Sequence, residues 1–428
     1  MVGPWGLEPQ TSTVSKGRDY VLPLDLSSSA RLRHSSVCTI SPLLLGAAVR
    51  LGRVRGLGFD AGGVSMRMAR AAVIVLVFCG MGETLVQAVC TGTSVSAFGA
   101  KGDGKNDDTA AIQSAINAAA SAGGGAVVFN VARYFTTGTF VVPAGVILCG
   151  AIEGPFDVEG ASPATATVAP TLLVTNTSAP FIILNGLGAG VSDLLFHYPN
   201  QVGISASAPN VYPYTIVVAS PGAKVVRSTV TNAYSFLDIE SGRVIAQDLF
   251  IGAFNIGVNI DHAHDHVTLR NLLNTVYWDV MQNPTNPPTT IDNWVATHGI
   301  ALVVNRVDGL EIHDFSVFFR YAGILLTDSP DTSQNPRCGF GTGSDVDLDG
   351  VQNGIFVTAS NSAGYQFTNL TVSTPGGGAV VQLKAGGSLP PNVLINGGSE
   401  VGSWALGAFP TPAAGNLTVV NVIGFNLP

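Results

Sequence analysis

Charge is scarce in this sequence. Asp, Glu, Lys and Arg make up 11% of its 428 residues, against 46% hydrophobic residues. A chain this apolar can bury a large core, which excludes disorder as its general state. Basic residues are scarcest where nucleic acid would need them. Residues 1–88 carry nine Lys/Arg against five Asp/Glu, but residues 89–428 carry eleven against twenty-three. A body with a net charge of −12 has no basic face for a phosphate backbone, so no nucleic-acid partner is expected. The same charge opposes a strongly anionic substrate unless a cation mediates. Long hydrophobic runs are missing as well. The apolar run "AAVIVLVFCGM" (71–81) is well short of the ~20 residues that span a bilayer.

That run has a simpler explanation. Met66 or Met68, with Arg67 and Arg70, precedes it, and "LVQA" ending at Ala88 follows. A basic region, an apolar stretch and small residues at a cut have the layout of a secretory signal peptide. The alternative is a buried core helix. The expected organisation is therefore a leader over 1–65 that is untranslated or disordered, a signal peptide over 66–88, and one domain over 89–428. Such a protein would be secreted, extracellular or periplasmic, with no membrane insertion after cleavage. Cysteine is scarce too: Cys90, Cys149 and Cys338 remain after Ala88. Export permits one disulfide, with Cys90–Cys149 the nearer pair, and an odd count leaves one thiol over.

What is abundant is glycine, 51 residues of it, set among short β-type runs. From about residue 140 one pattern recurs: alternating apolar positions, then Asn, Asp or Gly, then after a gap Gly-apolar-any-apolar. "VIAQDL" with "GVNI", "LEIHDF" with "GILL" and "VDLDGV" with "GIFV" are instances. The corner position falls at Asp193, Ser228, Asp248, Asn271, Asp314, Gly350, Asn369, Gly397 and Asn421. Strand-only units of roughly 20 to 25 residues predict a parallel β-helix, an all-β solenoid whose alternation sends one set of side chains inward. Two long steps mark insertions: "QNPTNPPTTIDNWVATH", expected as a loop, and "DSPDTSQNPRCGFGTGS" (328–344) one coil further on. Neighbouring insertions are expected to rise side by side as groove walls, and long loops on rigid scaffolds are where function usually sits.

The stretch "AFGAKGDGKNDDTAAIQSAINAAASAGGGAVVFNVARYFTTGTFVVPAGVILCG" (97–150) resembles the amino-terminal signature of the pectate-lyase-like superfamily of right-handed β-helix proteins. The resemblance implies a single-stranded right-handed parallel β-helix with an amino-terminal capping helix. It is uninformative about activity, because that group spans hydrolases, lyases, epimerases and non-catalytic binders. Physically the segment reads as a cap. Asp107 or Asp108 can accept N–H groups at a helix start, and Ile112, Ala115, Ile116 and Ala119 fall on one face. In the related polygalacturonases catalytic aspartates precede the Gly-apolar-any-apolar strand. Here that position holds Val202, Ser235, Ile256, His298, Ala322 and Asn353, so the three-aspartate mechanism does not carry over.

Stacking offers other candidates. Aligning "FLDIES" (236–241) with "GVNIDH" (257–262) places Asp238 beside Asn259 and Glu240 beside Asp261. Two carboxylates one coil apart lie about 5 Å apart by backbone spacing, which suits an acid with a base or nucleophile, or a Ca²⁺ site, or a solvated acidic edge. His262, His264 and His266 alternate, so in an extended segment they would share one face, as a metal site or a polar turn. His298 and Trp294 lie in the first insertion, the one to polarise or position, the other to stack on a sugar. On another face Arg270, His313 and Asp349 are expected to stack as a polar ladder. A lyase would draw on Arg270, Arg306 or Arg320.

These observations point to a polysaccharide as partner. The favoured reaction is hydrolysis of a cell-wall or extracellular glycan by Glu240, Asp261 and His298, with Asp238, Trp294, Arg270, His313 and Arg320 as substrate contacts. The alternatives are a Ca-assisted polysaccharide lyase or epimerase, and a non-catalytic carbohydrate-binding or adhesin solenoid. No resident metal is assigned, calcium is the one cofactor considered, and the sequence leaves the oligomeric state open.

Overall fold

A computed structural model describes residues 90–158, 165–203, 205–275, 290–374, 378–384, 387–401 and 415–425. The leader 1–65 and the signal segment 66–88 lie outside the described residues. Within them, every pairing between named strands is parallel. The strands form three stacked ladders. One runs through Ala126, Ile147, Gly190, Lys224, Ile245, Thr268, Glu311 and Thr342. A second runs through Leu172, Phe196, Val230, Ile251, Asn274, Val317 and Leu348. A third runs through Ile183, Val217, Asp238, Asn259, Val303, Leu325, Phe356 and Gln382. The protein is an all-β parallel β-helix with three sides.

Alternation along each strand explains the core. Leu237 and Ile239 point inward, as do Val258 and Ile260, Leu302 and Val304, and Ile324 and Leu326, all fully buried. Between the first and second sides the chain turns through a single residue in the left-handed region. Asp193, Asp248, Asn271, Asp314, Asn369 and Asn421 hold φ values of 51–60° there. Short polar side chains tolerate this geometry and hydrogen-bond locally, as Asn271 Nδ2 does by donating to Asp248 Oδ1 at 2.7 Å. Two expected corners move. Arg227, with φ 45°, takes the turn assigned to Ser228. Asp345 rather than Gly350 stands between Asp314 and Asn369, since Ser344 pairs with His313 and Thr368. The pattern placed both displaced corners near an ambiguous Gly or Ser, where only pairing decides the register.

Helix α1 (Thr109–Ser121) buries Ile112, Ala115, Ile116 and Ala119 in the main core, alongside Val95. The two aspartates at its start divide the work. Asp107 Oδ1 accepts from the Thr109 N–H at 3.0 Å, while Asp108 is buried and accepts from the Lys101 and Gly102 N–H groups. Cys90 and Cys149 form a disulfide between the chain before the first strand and the second coil, leaving Cys338 as a buried free thiol.

The first insertion is not all loop. Its described part, Thr290–His298, is helix α2, which seats Ile291 and Val295 against Phe254. The two insertions do not stand side by side. Helix α2 leads into the strand Ile300–Val304, whereas 328–338 leaves the far end of the strand Ala322–Leu326. They flank the third side from opposite ends.

Candidate active site

On the outward face of the third side, neighbours of Asp238 are Val217 on one coil and Asn259 on the next, followed by Val303 and Leu325. An aspartate in such a row is poorly hydrated. Asn259 Nδ2 donates to Asp238 Oδ1 at 2.8 Å, and Asn305 Nδ2 donates to Asn259 Oδ1 at 2.9 Å. Two residues on, just past the end of the strand Lys224–Ile239, comes Glu240, which shares a hydrogen bond with Asp238. Burial pushes the Asp238 carboxyl up to about 7; the Asn259 bond opposes this, while the charges of Glu240 and Asp261 and the bond from Glu240 add to it. Near neutral pH this carboxyl therefore exists partly as the acid, beside a second carboxyl able to accept its hydrogen bond.

The coil turns sharply after Asp261, putting His262 at φ 48°. This turn aims the imidazole back across the corner: Nδ1 lies 2.6 Å from Glu240 Oε2 and Nε2 lies 3.0 Å from Asp331 Oδ2. The bond to Asp331 raises the His262 pKa, helped by the charges of Asp261 and Glu240 and opposed by burial. As imidazolium the ring donates to both carboxylates, linking the 328–338 segment to the Asp238–Glu240 pair. Asp331 is held well below the usual carboxylate range, first by the Ser333 N–H and side chain and then by His262. Tyr214 belongs to the same surroundings. Burial, with the charges of Asp238, Glu240 and Tyr234, keeps its phenol protonated far above the ordinary value.

The expected site residues are dispersed by this geometry. Asp261 reaches the same corner as Glu240, but its side chain is buried and its oxygens are engaged. Oδ1 accepts from the His262 N–H at 2.8 Å and the Arg306 N–H at 3.3 Å, and Oδ2 accepts from the Ser329 hydroxyl at 2.8 Å. Asp261 is an anchor for the second insertion. His298 and Trp294 lie on α2, at the other end of the third side; their rings stack at 4.5 Å with an interplanar angle of 4°, and Tyr234 lies 6.2 Å from Trp294. The structure does not bring His298 to the Asp238–Glu240 pair. Arg320 is fully buried, with Nη1 donating to the Phe254 carbonyl at 3.3 Å, and burial pulls its guanidinium down to about 9. Arg306 is buried too and bidentate on Asp308.

Arg270 and His313 are neighbours on the first side, a different face from Asp238. His313 Nδ1 lies 2.8 Å from the Ser344 hydroxyl, so Ser344, not Asp349, continues that ladder. Asp349 pairs with Phe318 on the second side. The three alternating histidines do not converge: His262 faces Glu240, His266 Nε2 lies 3.3 Å from Glu311, and His264 is exposed. Among the described residues, one group has metal-like spacing, Cys90, Cys149 and Asp193, and its two sulfurs are joined to each other. Sequence reasoning missed Asp331 and Tyr214, which are far from Asp238 along the chain and adjacent only once the coils close.

Residues 92–275 match the family described as rhamnogalacturonase A/epimerase, pectate lyase-like. That match spans less than half of the chain, whose fold is a parallel β-helix. This β-helix is also 45% identical over 68 residues to alginate lyase 7 of Azotobacter vinelandii. That match covers 14% of the chain and only 8% of that relative's length. Among solved structures, an exopolygalacturonase of Thermotoga maritima is similar at 12% identity and a TM-score of 0.44, covering 77% of this chain and 91% of that one. The A-module of a mannuronan C-5 epimerase from Azotobacter vinelandii is similar at 16% identity and a TM-score of 0.36, covering 79% of this chain and 100% of that one. Among the described residues, no helix is long and apolar enough to cross a membrane.

Proposed function

We propose that this protein hydrolyses a glycosidic bond in an extracellular polysaccharide, with Asp238 as the proton donor. The observation that carries the reading is a half-buried carboxyl on the outward face of a sheet flanked by two insertions, bonded to Asn259 and raised in pKa by burial and by the charge of Glu240. A proton donor works best with a pKa near the working pH. Asp238 gives its proton to the glycosidic oxygen as the bond to the anomeric carbon breaks, water bonds to that carbon, and the proton the water releases restores Asp238. Glu240 shares a hydrogen bond with Asp238, so the two do not flank a sugar from opposite sides as a retaining or inverting pair does. It therefore acts from the same side, sustaining the donor's proton and facing the positive charge that develops on the sugar ring.

Anionic surroundings favour hydrolysis over elimination. Asp238, Glu240 and Asp331 meet at the corner, and Arg306, whose N–H meets Asp261 there, is buried and paired with Asp308. A lyase must neutralise a uronate at the reacting carbon, and calcium bound between Glu240 and Asp331 would have to displace the His262 ring. The names of similar proteins, a lyase, an epimerase and a polygalacturonase, support a polysaccharide as the substrate class. The Cys90–Cys149 disulfide supports export to an oxidising compartment.

The test is incubation of purified residues 89–428 with neutral and acidic polysaccharides, with and without calcium, reading new reducing ends and unsaturated-product absorbance together. The expected result is reducing ends without unsaturation, indifferent to chelator, and at least about a hundredfold lower in Asp238→Asn of unchanged fold. Unsaturated products abolished by chelator would make the protein a lyase. Retention on a glycan without any cleavage would make it a binding solenoid.

A further inference from the structure

The outward row that holds Asp238 continues in one direction as Asn259, Val303, Leu325, Phe356 and Gln382. Its chemistry changes steadily along the axis. The end at Asp238 and Glu240 is acidic, the middle is apolar, and the far end carries a cation. Lys384 follows Gln382 by two residues, which returns it to the outward face, and its ammonium lies 5.9 Å from the centroid of the Phe356 ring. The strands of this side from Ser235 onward (235–240, 256–261, 300–305, 322–327, 353–358 and 379–384) contain no other Lys or Arg. Lys384 is exposed and makes no ion pair among the described residues.

From Asp238 to Phe356 is four coil steps, ~19 Å at ~4.8 Å per step. One coil step is close to the length of one sugar unit in an extended glycan, so a chain lying along this row meets one coil per unit. We infer that Phe356, Gln382 and Lys384 form a remote subsite for a sugar unit bearing a carboxylate, about four units from the bond beside Asp238. Phe356 offers an apolar ring face to a pyranose, Gln382 a hydrogen-bonding amide, and Lys384 a charge partner, a common division of labour in sugar sites. The glycan this selects is mixed: uncharged where it meets Asp238 and Glu240, acidic several units away. The inference rests on the preceding reading only in taking this face as the glycan face.

Affinity electrophoresis tests it without requiring cleavage. Asp238→Asn protein, with and without Lys384→Gln, is run through gels containing hydroxyethyl cellulose, carboxymethyl cellulose, alginate, or pectin of partial methyl esterification. Lys105→Gln, an exposed lysine near the amino-terminal cap, controls for the lost charge. The expected result is retardation by at least one carboxylated glycan that Lys384→Gln weakens about fivefold or more, that Lys105→Gln does not, and that salt abolishes. Phe356→Ala should weaken it as well. Equal effects of Lys384→Gln and Lys105→Gln would overturn the subsite, as would loss confined to the uncharged gel, or no retardation by any carboxylated glycan. The two readings fail separately. Cleavage that survives Asp238→Asn sinks the proton-donor assignment and leaves this subsite standing. Cleavage lost in Asp238→Asn with binding untouched by Lys384→Gln does the reverse.

Discussion

Asp238 keeps its proton in the folded protein up to about pH 7, whereas in the unfolded chain it loses that proton near 3.8. Between those values the folded state binds more protons than the unfolded one, so stability falls as pH rises. The contribution of this group is complete below the unfolded pKa and is lost as the pH climbs through the folded one. Asp238→Asn removes the titration and can still accept the Asn259 bond. The variant should therefore gain stability on the parent as pH is raised from 4 to 8, measured as the difference between urea midpoints. A constant difference across that range would show that Asp238 does not titrate abnormally. The side-by-side placement of Asp238 and Asn259 was legible from aligning two short strands, because period-two alternation fixes which residues share a face. The inward commitment of Asp261 was not. It depends on the Ser329 hydroxyl, 68 residues further along the chain, and no local pattern announces that partner.

The segment 328–338 is secured by side chains more than by regular structure. Ser329 donates to Asp261, His262 meets Asp331, Arg337 donates to the Ser329 carbonyl at 2.6 and 3.0 Å, and Asp328 receives the Ser388 N–H at 2.6 Å. Ser329→Ala leaves the buried Asp261 Oδ2 without its donor, a loss of about 1–3 kcal/mol. Hydrogen exchange should rise in 328–338 and stay unchanged in the strand Ile300–Val304. The His262 tie has its own pH sense. A raised folded pKa means the tie is present below the ordinary histidine value and is lost as pH passes the raised one. Exchange in 328–338, corrected for its intrinsic pH dependence, should accelerate over that interval, and His262→Asn should abolish the dependence. The insertions themselves were visible as interruptions of the coil spacing. Their positions at opposite ends of one strand row were not, since spacing counts residues per coil without saying which corner the extra ones leave. Helix α2 was hidden for a related reason: its apolar stripe is only Ile291, Trp294 and Val295, seated on Phe254.

Across the whole molecule, inward phenylalanines form a column. Phe140 and Phe181 have ring centroids 5.2 Å apart, Phe181 and Phe196 are 6.1 Å apart, and Phe196 and Phe236 are 6.5 Å apart. Each ring fills the space between coils, so Phe196→Ala opens a cavity that parallel strands cannot close, at a cost of about 3–5 kcal/mol. Because each coil touches chiefly its neighbours, the loss should concentrate there. Native-state exchange should accelerate in strands near Phe196 and remain as in the parent at Val381 and Leu383. Uniform acceleration would mean that the stack unfolds as one unit. The solenoid was the most legible level of all, because every coil repeats the same decision about which residues face in and which single residue turns left-handed. The same repetition gives the outward row a metrical property. Each coil adds one side chain at a fixed interval, so a whole coil inserted between Asn259 and Phe356 would lengthen the span from acid to cation by one sugar unit. The β-helix is in this sense a ruler laid against its polymer, and the pattern of charge it can read along that polymer is set by how many coils separate the two marks.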